Sequence, residues 1–221
     1  MKLAEKLTSF DFVNNRKYVH SSTIIDFIWN NVEPFFPSNS KYPIFMDIKF
    51  HQELKCNAKF VVFDVYQDIS KIRNLSVVCT IYSENLKLYV CLVEDQNYNI
   101  VNSIEINYSV TEIETSGDYS GSCVISANNS LSMISNIIEA NKRIHQLTHL
   151  QNEKLKVINL YIKRFPVNIL NSSLNKVKTL IHNLGIRDYK GDNATLNSIE
   201  LIDVPTSSFE VAFLIKKLGN G

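Results

Sequence analysis

The sequence predicts an α+β protein built from two similar halves. A helical apolar segment, a strand that ends in a basic residue and a phenylalanine, and further strands occur twice. The two copies lie about 115 residues apart and end their first strand at Lys49-Phe50 and at Arg164-Phe165. The rest of the chain is rich in short β-branched and aromatic runs, which clusters of Asn, Asp and Ser interrupt. Because the order of elements recurs while the residues do not, we expect two related units that share a site.

The first half predicts one helix followed by four strands. After an extended run at 10–13, a helix is expected over 22–32, because Ser21 or Ser22 can cap its first turn and Pro34 and Pro37 end it. Strand patterns then follow at 44–51, 58–66, 75–82 and 86–94. Glu84-Asn85 reads as the tight turn of a hairpin between the last two strands. The polar patch 94–97 predicts the boundary, with units at 1–96 and 97–221.

The second half repeats this order. Strand patterns at 100–110 and 123–125 flank a flexible stretch at 115–121, and Asn128, Asn129 or Ser130 can cap a helix over 131–149. The helical stripe contains Ile134, Ile137, Ile138, Asn141, Ile144 and Thr148, so two of its six positions are polar. Strands are then expected at 156–165, 195–204 and 209–218. The segment 174–188 suits a helix by local propensity, but the repeat predicts a strand there.

Composition excludes several classes of function. The chain has 23 basic and 22 acidic side chains, so neither nucleic acid nor an anionic membrane is an expected partner. No secretion signal and no apolar run long enough to span a bilayer is present, which predicts a cytoplasmic protein. Four cysteines without CxxC spacing predict buried, reduced thiols. Six unclustered glycines and the lack of a GxSxG motif argue against a nucleotide-dependent enzyme and a nucleophile-elbow hydrolase.

Three segments resemble a known group of proteins. The sequence VINLYIKRFPV at 157–167 is similar to the strand after the central helix in hotdog acyl-carrier-protein dehydratases, and IFMDIKFHQEL at 44–54 is similar to the same strand. The helix sequence IIEANKRIHQ at 137–146 resembles the dehydratase helix that carries an acidic residue followed by Ala and Gln. Val19-His20 and Glu139 with Arg143, His145 and Gln146 also resemble hotdog-like A-factor biosynthesis proteins.

The resemblance implies a tandem, double hotdog with His20 and Glu139 as a catalytic pair. In this family a histidine of the first unit meets an acidic residue on the central helix of the second. An imidazole can remove the proton next to a thioester carbonyl, and a carboxylic acid can help a β-hydroxyl leave as water. Amides near Ser22 and Thr23, at the start of the first helix, would polarise the thioester carbonyl. His20 is followed directly by Ser21, where the dehydratases have Pro and Gly, and this departure puts the oxyanion geometry in question.

The resemblance also implies a ligand and its partners. An apolar tunnel at the junction of the halves would hold an acyl-pantetheine thioester, with Phe27, Trp29, Ile134 and Ile138 as contacts. The expected partners are an acyl carrier protein or a CoA thioester, with a homodimer also possible. We expect no metal and no cofactor beyond the pantetheine arm that carries the substrate.

Structural interpretations remain open beside the functional ones. His20 suits a helix cap, and Glu139 projects away from the apolar stripe as a surface carboxylate would. His145 and His149 have metal-ligand spacing but lack a third ligand. Three hypotheses follow. The first is an acyl-thioester enzyme of fatty-acid, polyketide or signalling-lipid biosynthesis, dehydratase-like before thioesterase-like. The second is a hotdog-derived acyl- or protein-binding module without catalysis, and the third is an unrelated α+β interaction protein whose repeat is accidental.

Overall fold

The computed structural model describes residues 1–37, 42–126, 133–148, 155–170, 176–189, 192–202, 204 and 208–217. The chain divides into two compact units, residues 1–107 and 108–221. The polar patch at 94–97, where the sequence places the boundary, lies inside a strand, and the division comes later, after Asn107.

The first unit contains one long helix, one short helix and a five-stranded antiparallel sheet. The helices are α1 (Ser21–Val32) and α2 (Tyr66–Ile69), and a 3₁₀ turn at Glu33–Phe35 follows α1. The strands are β1 (Lys2–Leu7), β2 (Phe12–Val13), β3 (Phe45–Phe50), β4 (Cys56–Phe63), β5 (Leu75–Tyr82), β6 (Lys87–Asn99) and β7 (Ser103–Ile104). Sheet order is β1-β4-β6-β5-β3, and β2 pairs with β7 in a separate parallel pair.

Helix α1 forms where the periodicity predicts it. Its buried apolar residues recur at helical spacing: Ile24, Ile25, Ile28, Trp29 and Val32. The predicted cap is wrong by one or two residues, because His20 occupies the N-cap position with extended backbone and Ser21 is already helical. The predicted hairpin turn is confirmed by a bond from the Ser83 amide to the Leu86 carbonyl at 2.9 Å.

A second, small core covers the face of the first sheet that points away from α1. Phe60 of β4 packs edge-on against Phe27 of α1 at 5.4 Å, so the neighbouring positions Val61 and Phe63 face the other way. There Val61 and Phe63 pack with Ile69 of α2 and Cys91 of β6. The strand predicted over 58–66 therefore ends early, and α2 was missed, because four residues are too few to show a period.

The second unit wraps one helix with a six-stranded antiparallel sheet. Its helix is α3 (Met133–Thr148), and a 3₁₀ turn covers Val167–Ile169. The strands are β8 (Val110–Thr115), β9 (Gly121–Ser126), β10 (Leu155–Pro166), β11 (Lys176–Tyr189), β12 (Asp192–Leu201) and β13 (Phe209–Lys217). Sheet order is β10-β13-β12-β11-β9-β8. The strand that the repeat predicted at 174–188 is confirmed as β11, against its local helical propensity.

One expectation about the second half is corrected. The strand predicted over 100–110 is limited to β7 and the start of β8, because Val101 is 90% exposed and β7 pairs with only the two residues of β2. The stretch at 115–121 comprises the end of β8, a loop at 116–120 and the start of β9, and its flexibility stays a prediction. The predicted helix caps Asn128, Asn129 and Ser130 lie outside the described residues.

The order of elements along the chain repeats, but the order of strands across the sheets does not. After each long helix, four strands of that unit's sheet follow. In the second unit β11, β12 and β13 are neighbours in sequence order, whereas in the first unit β6 lies between β4 and β5. The connection from β4 to β5 therefore crosses β6, and α2 is part of that crossing.

Candidate functional site

His20 is fixed at the entrance to α1. The Val19 amide donates to the Leu54 carbonyl at 2.8 Å, and the Ile24 amide donates to the His20 carbonyl at 3.2 Å. The side chain is only 6% exposed and makes no capping bond to a backbone amide. Instead, Nδ1 lies 2.7 Å from Ser22 Oγ. The ring is therefore oriented by the hydroxyl of the second residue of α1, and it makes no capping bond from its place at the N-cap.

Ser22 and Thr23 lie in the first turn of α1. Ser22 is 2% exposed and Thr23 is half-buried. Because the first bond within the helix comes from the Ile24 amide, the amides before it point along the axis at the end that carries partial positive charge. This end of α1 suits a carbonyl oxygen or an anion. The substrate contacts predicted for Ser22 and Thr23 stay predictions.

Phe27 and Trp29 have different surroundings. Phe27 packs edge-on between Phe10 at 5.0 Å and Phe60, and the Lys6 ammonium lies 5.0 Å from its ring centre. Trp29 is 4% exposed with its ring 6.0 Å from that of Phe36. Its buried Nε1–H has no acceptor among the described residues, although buried indole N–H groups usually have one. Phe27 is thus occupied by packing within its unit, whereas Trp29 offers an unused donor.

Glu139 is buried on α3. It is 8% exposed, and its Oε1 accepts a bond from Arg143 Nε at 3.2 Å, while Lys142 Nζ lies 3.9 Å from Oε2. Arg143 also donates to the Val110 carbonyl at 3.4 Å. The interpretation of Glu139 as a surface carboxylate is therefore wrong. His20 and Glu139 belong to different units, and their pairing stays a prediction.

Ile134 and Ile138 belong to a helix that is buried nearly all round. Their exposed fractions are 0% and 3%, and every residue from Met133 to Asn141 is buried. Such burial suits the central helix of a sheet-wrapped unit. The predicted role of these two isoleucines as acyl contacts stays a prediction.

A polar cluster around His145 was missed by sequence reasoning. His145 is fully buried, with Nδ1 2.8 Å from the Asn141 carbonyl and Nε2 2.6 Å from Thr195 Oγ1. Since a carbonyl only accepts, Nδ1 carries the hydrogen, and when the ring is neutral the Thr195 hydroxyl donates to Nε2. Asn197 Nδ2 donates to Asn141 Oδ1 at 2.8 Å. The available signals were Asn141 inside an apolar stripe and the polar residues Thr195 and Asn197 facing inward on β12.

Aromatic rings and the β8–β9 loop enclose this His145 cluster. The ring centres of Tyr119 and Phe213 lie 5.1 Å and 5.4 Å from that of His145. Tyr119 has a left-handed φ of 66°, a conformation that bulky residues seldom adopt. Asn183 of β11 holds the loop through bonds from its amide to Ser120 Oγ at 2.8 Å and from Nδ2 to the Asp118 carbonyl at 2.6 Å. These contacts place the loop over the C-terminal half of α3.

The described residues offer no metal centre. They contain no group of three or more His, Cys, Asp or Glu side chains placed to hold an ion. Both ring nitrogens of His145 are engaged, and His149 lies outside the described residues. Burial raises the pKa of the Cys91 thiol to about 12 and that of Cys123 to about 11, so these thiols stay protonated near neutrality. No described helix has the length and apolar character needed to cross a bilayer.

Comparison with known proteins identifies the fold. No protein-family model matches the chain, and no curated protein matches it significantly. Among solved structures, the dehydratase domain from the CurJ module of curacin polyketide synthase matches 99% of this chain and 96% of its own, with 11% identity and a TM-score of 0.53. A GphF dehydratase variant matches 97% of this chain and 92% of its own, with 8% identity and a TM-score of 0.51.

A third solved structure, an inactive mutant of the CurJ dehydratase in complex with a compound, covers 97% of this chain and 90% of its own, with 10% identity and a TM-score of 0.50. Identities this low show the fold alone. The chain has the α+β double-hotdog fold, as the sequence resemblance predicted.

Proposed function

We propose that this protein acts on acyl thioesters as a dehydratase-like enzyme, with a 3-hydroxyacyl substrate carried by an acyl carrier protein or by CoA. The observation that carries the proposal is the position of His20, a buried histidine at the start of α1 in a double-hotdog chain. The likeness of the fold to polyketide synthase dehydratase domains, which extends over nearly the whole chain, supports the proposed substrate class.

The chemistry proposed for His20 is proton removal. The imidazole takes the proton from the carbon next to the thioester carbonyl, and the electron pair of that C–H bond forms the new double bond. The C–O bond at the β-carbon then breaks, and the hydroxyl leaves as water after it receives a proton. Amides in the first turn of α1 are proposed to stabilise negative charge on the carbonyl oxygen.

Glu139 is the proposed source of the proton for the leaving hydroxyl. The carboxyl group must be protonated in the substrate complex to give this proton, and its burial on α3 limits competition from solvent. Trp29 is a proposed contact of the acyl group, because an oxygen on a bound acyl chain would accept from the unused indole N–H.

A second candidate function is acyl binding without turnover. The observation that favours it is the engagement of Glu139 by Arg143 and Lys142 on its own helix, which occupies the carboxyl group that a dehydratase presents to substrate. In this case the protein would hold an acyl thioester while His20 serves to anchor the entrance to α1.

The test combines turnover and binding. The full-length protein is incubated with 3-hydroxyacyl-pantetheine thioesters, and loss of water is followed by mass spectrometry. We expect His20→Ala and Glu139→Gln each to lower turnover by a factor of about 100 or more, the usual contribution of general acid–base catalysis. His182→Ala serves as the matched control, because His182 is an exposed histidine on β11.

Binding is measured through the fluorescence of Trp29, the single tryptophan. A series of non-hydrolysable acyl-pantetheine analogues is titrated, and affinity is expected to rise by about 0.8 kcal/mol for each buried methylene. If the native protein binds these analogues but does not turn over the substrates, the enzymatic function is refuted and the acyl-binding function is supported. If the native protein shows no binding and no turnover, both proposed functions are refuted.

A further inference from the structure

The contact between His20 and Ser22 bears on which nitrogen of the neutral imidazole carries the hydrogen. Nδ1 and Ser22 Oγ lie 2.7 Å apart, a normal hydrogen-bond length, and both side chains are buried. A hydroxyl can donate or accept, and a neutral imidazole has one nitrogen of each kind. The direction of this one bond therefore fixes the tautomer of the ring.

We propose that Ser22 is a positioning residue whose hydroxyl oxygen accepts a hydrogen bond from Nδ1–H of His20. The neutral ring then presents its lone pair at Nε2. This inference rests on the proposed function, because a general base must offer a lone pair to the proton that it removes. If Ser22 instead donated to Nδ1, the hydrogen of the neutral ring would be on Nε2, and Nε2 could not accept a proton from substrate.

The local backbone holds both partners in place. His20 is fixed by the bonds of Val19 with Leu54 and of its own carbonyl with the Ile24 amide. Ser22 is helical, and side chains on a helix lean toward its N-terminus, so its hydroxyl points back toward residue 20. His20 and Ser22 can therefore form a hydrogen bond because they are two positions apart at the start of α1, and the backbone does not have to move.

The competing interpretation makes Ser22 a nucleophile. Its hydroxyl would then donate to Nδ1, and His20 would act as the base that activates the serine. Both residues are buried, so the direction of the hydrogen bond, and not exposure, separates the two interpretations.

The decisive experiment reads the tautomer directly. Full-length protein labelled with ¹⁵N-histidine is studied by two-bond ¹H–¹⁵N correlation at a pH where the ring is neutral, and His20→Ala assigns the signal. We expect protonated Nδ1 and unprotonated Nε2 in the native protein and in Ser22→Thr, which keeps a hydroxyl. Ser22→Ala should lose this preference. Ser21→Ala is the matched control, because it alters the same turn and leaves Ser22 Oγ in place.

Turnover provides the second measurement. Ser22→Ala is expected to lower kcat by roughly tenfold or more with KM nearly unchanged, since a misplacement of one ångström in a catalytic group can cost about 100-fold. Ser22→Thr should restore kcat. Urea unfolding of each variant excludes a general loss of folding as the cause.

The possible outcomes separate the two proposals. A hydrogen on Nε2 in the native protein refutes the positioning role, and mass spectrometry for an acyl group on Ser22 then tests the nucleophile. A hydrogen on Nδ1 in a protein that never turns over a 3-hydroxyacyl thioester refutes the proposed function while the assigned hydrogen bond stands. A normal kcat in Ser22→Ala, with the tautomer changed, refutes the effect on catalysis.

Discussion

Two buried threonines on neighbouring strands should respond in opposite ways to the same substitution. Thr195 of β12 is 1% exposed and donates to His145 Nε2 at 2.6 Å. Thr179 of β11 is fully buried, and its hydroxyl has no hydrogen-bond partner among the described residues. Thr→Val keeps the shape of the side chain and replaces the hydroxyl with a methyl group, so the two variants compare a bonded hydroxyl with an unbonded one.

The expected changes in the free energy of unfolding depend on whether the hydroxyl has a hydrogen-bond partner. Thr195→Val removes the hydroxyl that bonds to the buried Nε2 of His145, which costs about 1–3 kcal/mol in the free energy of unfolding. Thr179→Val removes a polar group that is buried and unsatisfied, so it should be neutral or should stabilise by up to about 1–2 kcal/mol. We expect the two variants to differ by about 1–5 kcal/mol.

Urea unfolding followed by far-ultraviolet circular dichroism measures this difference. Native-state hydrogen exchange at amides of β11 and β12 then places the change in the second unit. Equal destabilisation by both substitutions, or a Thr195→Val variant within about 0.5 kcal/mol of the native protein, a change typical of sites without special contacts, would refute the assigned hydrogen-bond network.

Three further predictions concern packing and thiols. Gly121→Ala brings a Cβ 2.2 Å from the Glu114 carbonyl oxygen, so we expect a lower thermal unfolding temperature; an unchanged one contradicts the close approach. Cys91 and Cys123 should resist iodoacetamide at pH 8 until urea is added, because burial raises their pKa to about 12 and about 11; labelling of the folded protein argues against this burial. Ile69→Ala should lower the free energy of unfolding in urea by about 2–5 kcal/mol, because it leaves a cavity in the small core beside α2. A decrease of less than about 1 kcal/mol would contradict that packing.

Periodicity and repetition were enough to predict the long elements of the fold. Helices α1 and α3 carry apolar residues at helical spacing, and the repeat predicted β11 although its local propensity was helical. Strand β1 was not predicted, because the sequence of Lys2–Leu7 alternates poorly and is held in place by pairing with β4. Edge strands of this kind depend on a partner far along the chain, which a local pattern does not reveal.

The candidate site was predictable only in part. A histidine next to Ser21 and Ser22 pointed to the start of a helix, and the structure places His20 there. The His20–Ser22 contact was not predictable, because it depends on the backbone at the first turn. The His145 cluster joins α3 to β12 across 50 positions of sequence, and no local signal identifies such a partner.

The position of β6 between β4 and β5 implies an order of folding. In the second unit, β11, β12 and β13 can pair as successive local hairpins, which closes only short loops. In the first unit only the hairpin of β5 and β6 is local, and β4 must find the far edge of β6 with Lys59 opposite Val93. Helix α2 rests on residues of both β4 and β6, so it can become ordered only after that long-range pairing. Protection of α2 during refolding would therefore mark the moment at which the first sheet is complete.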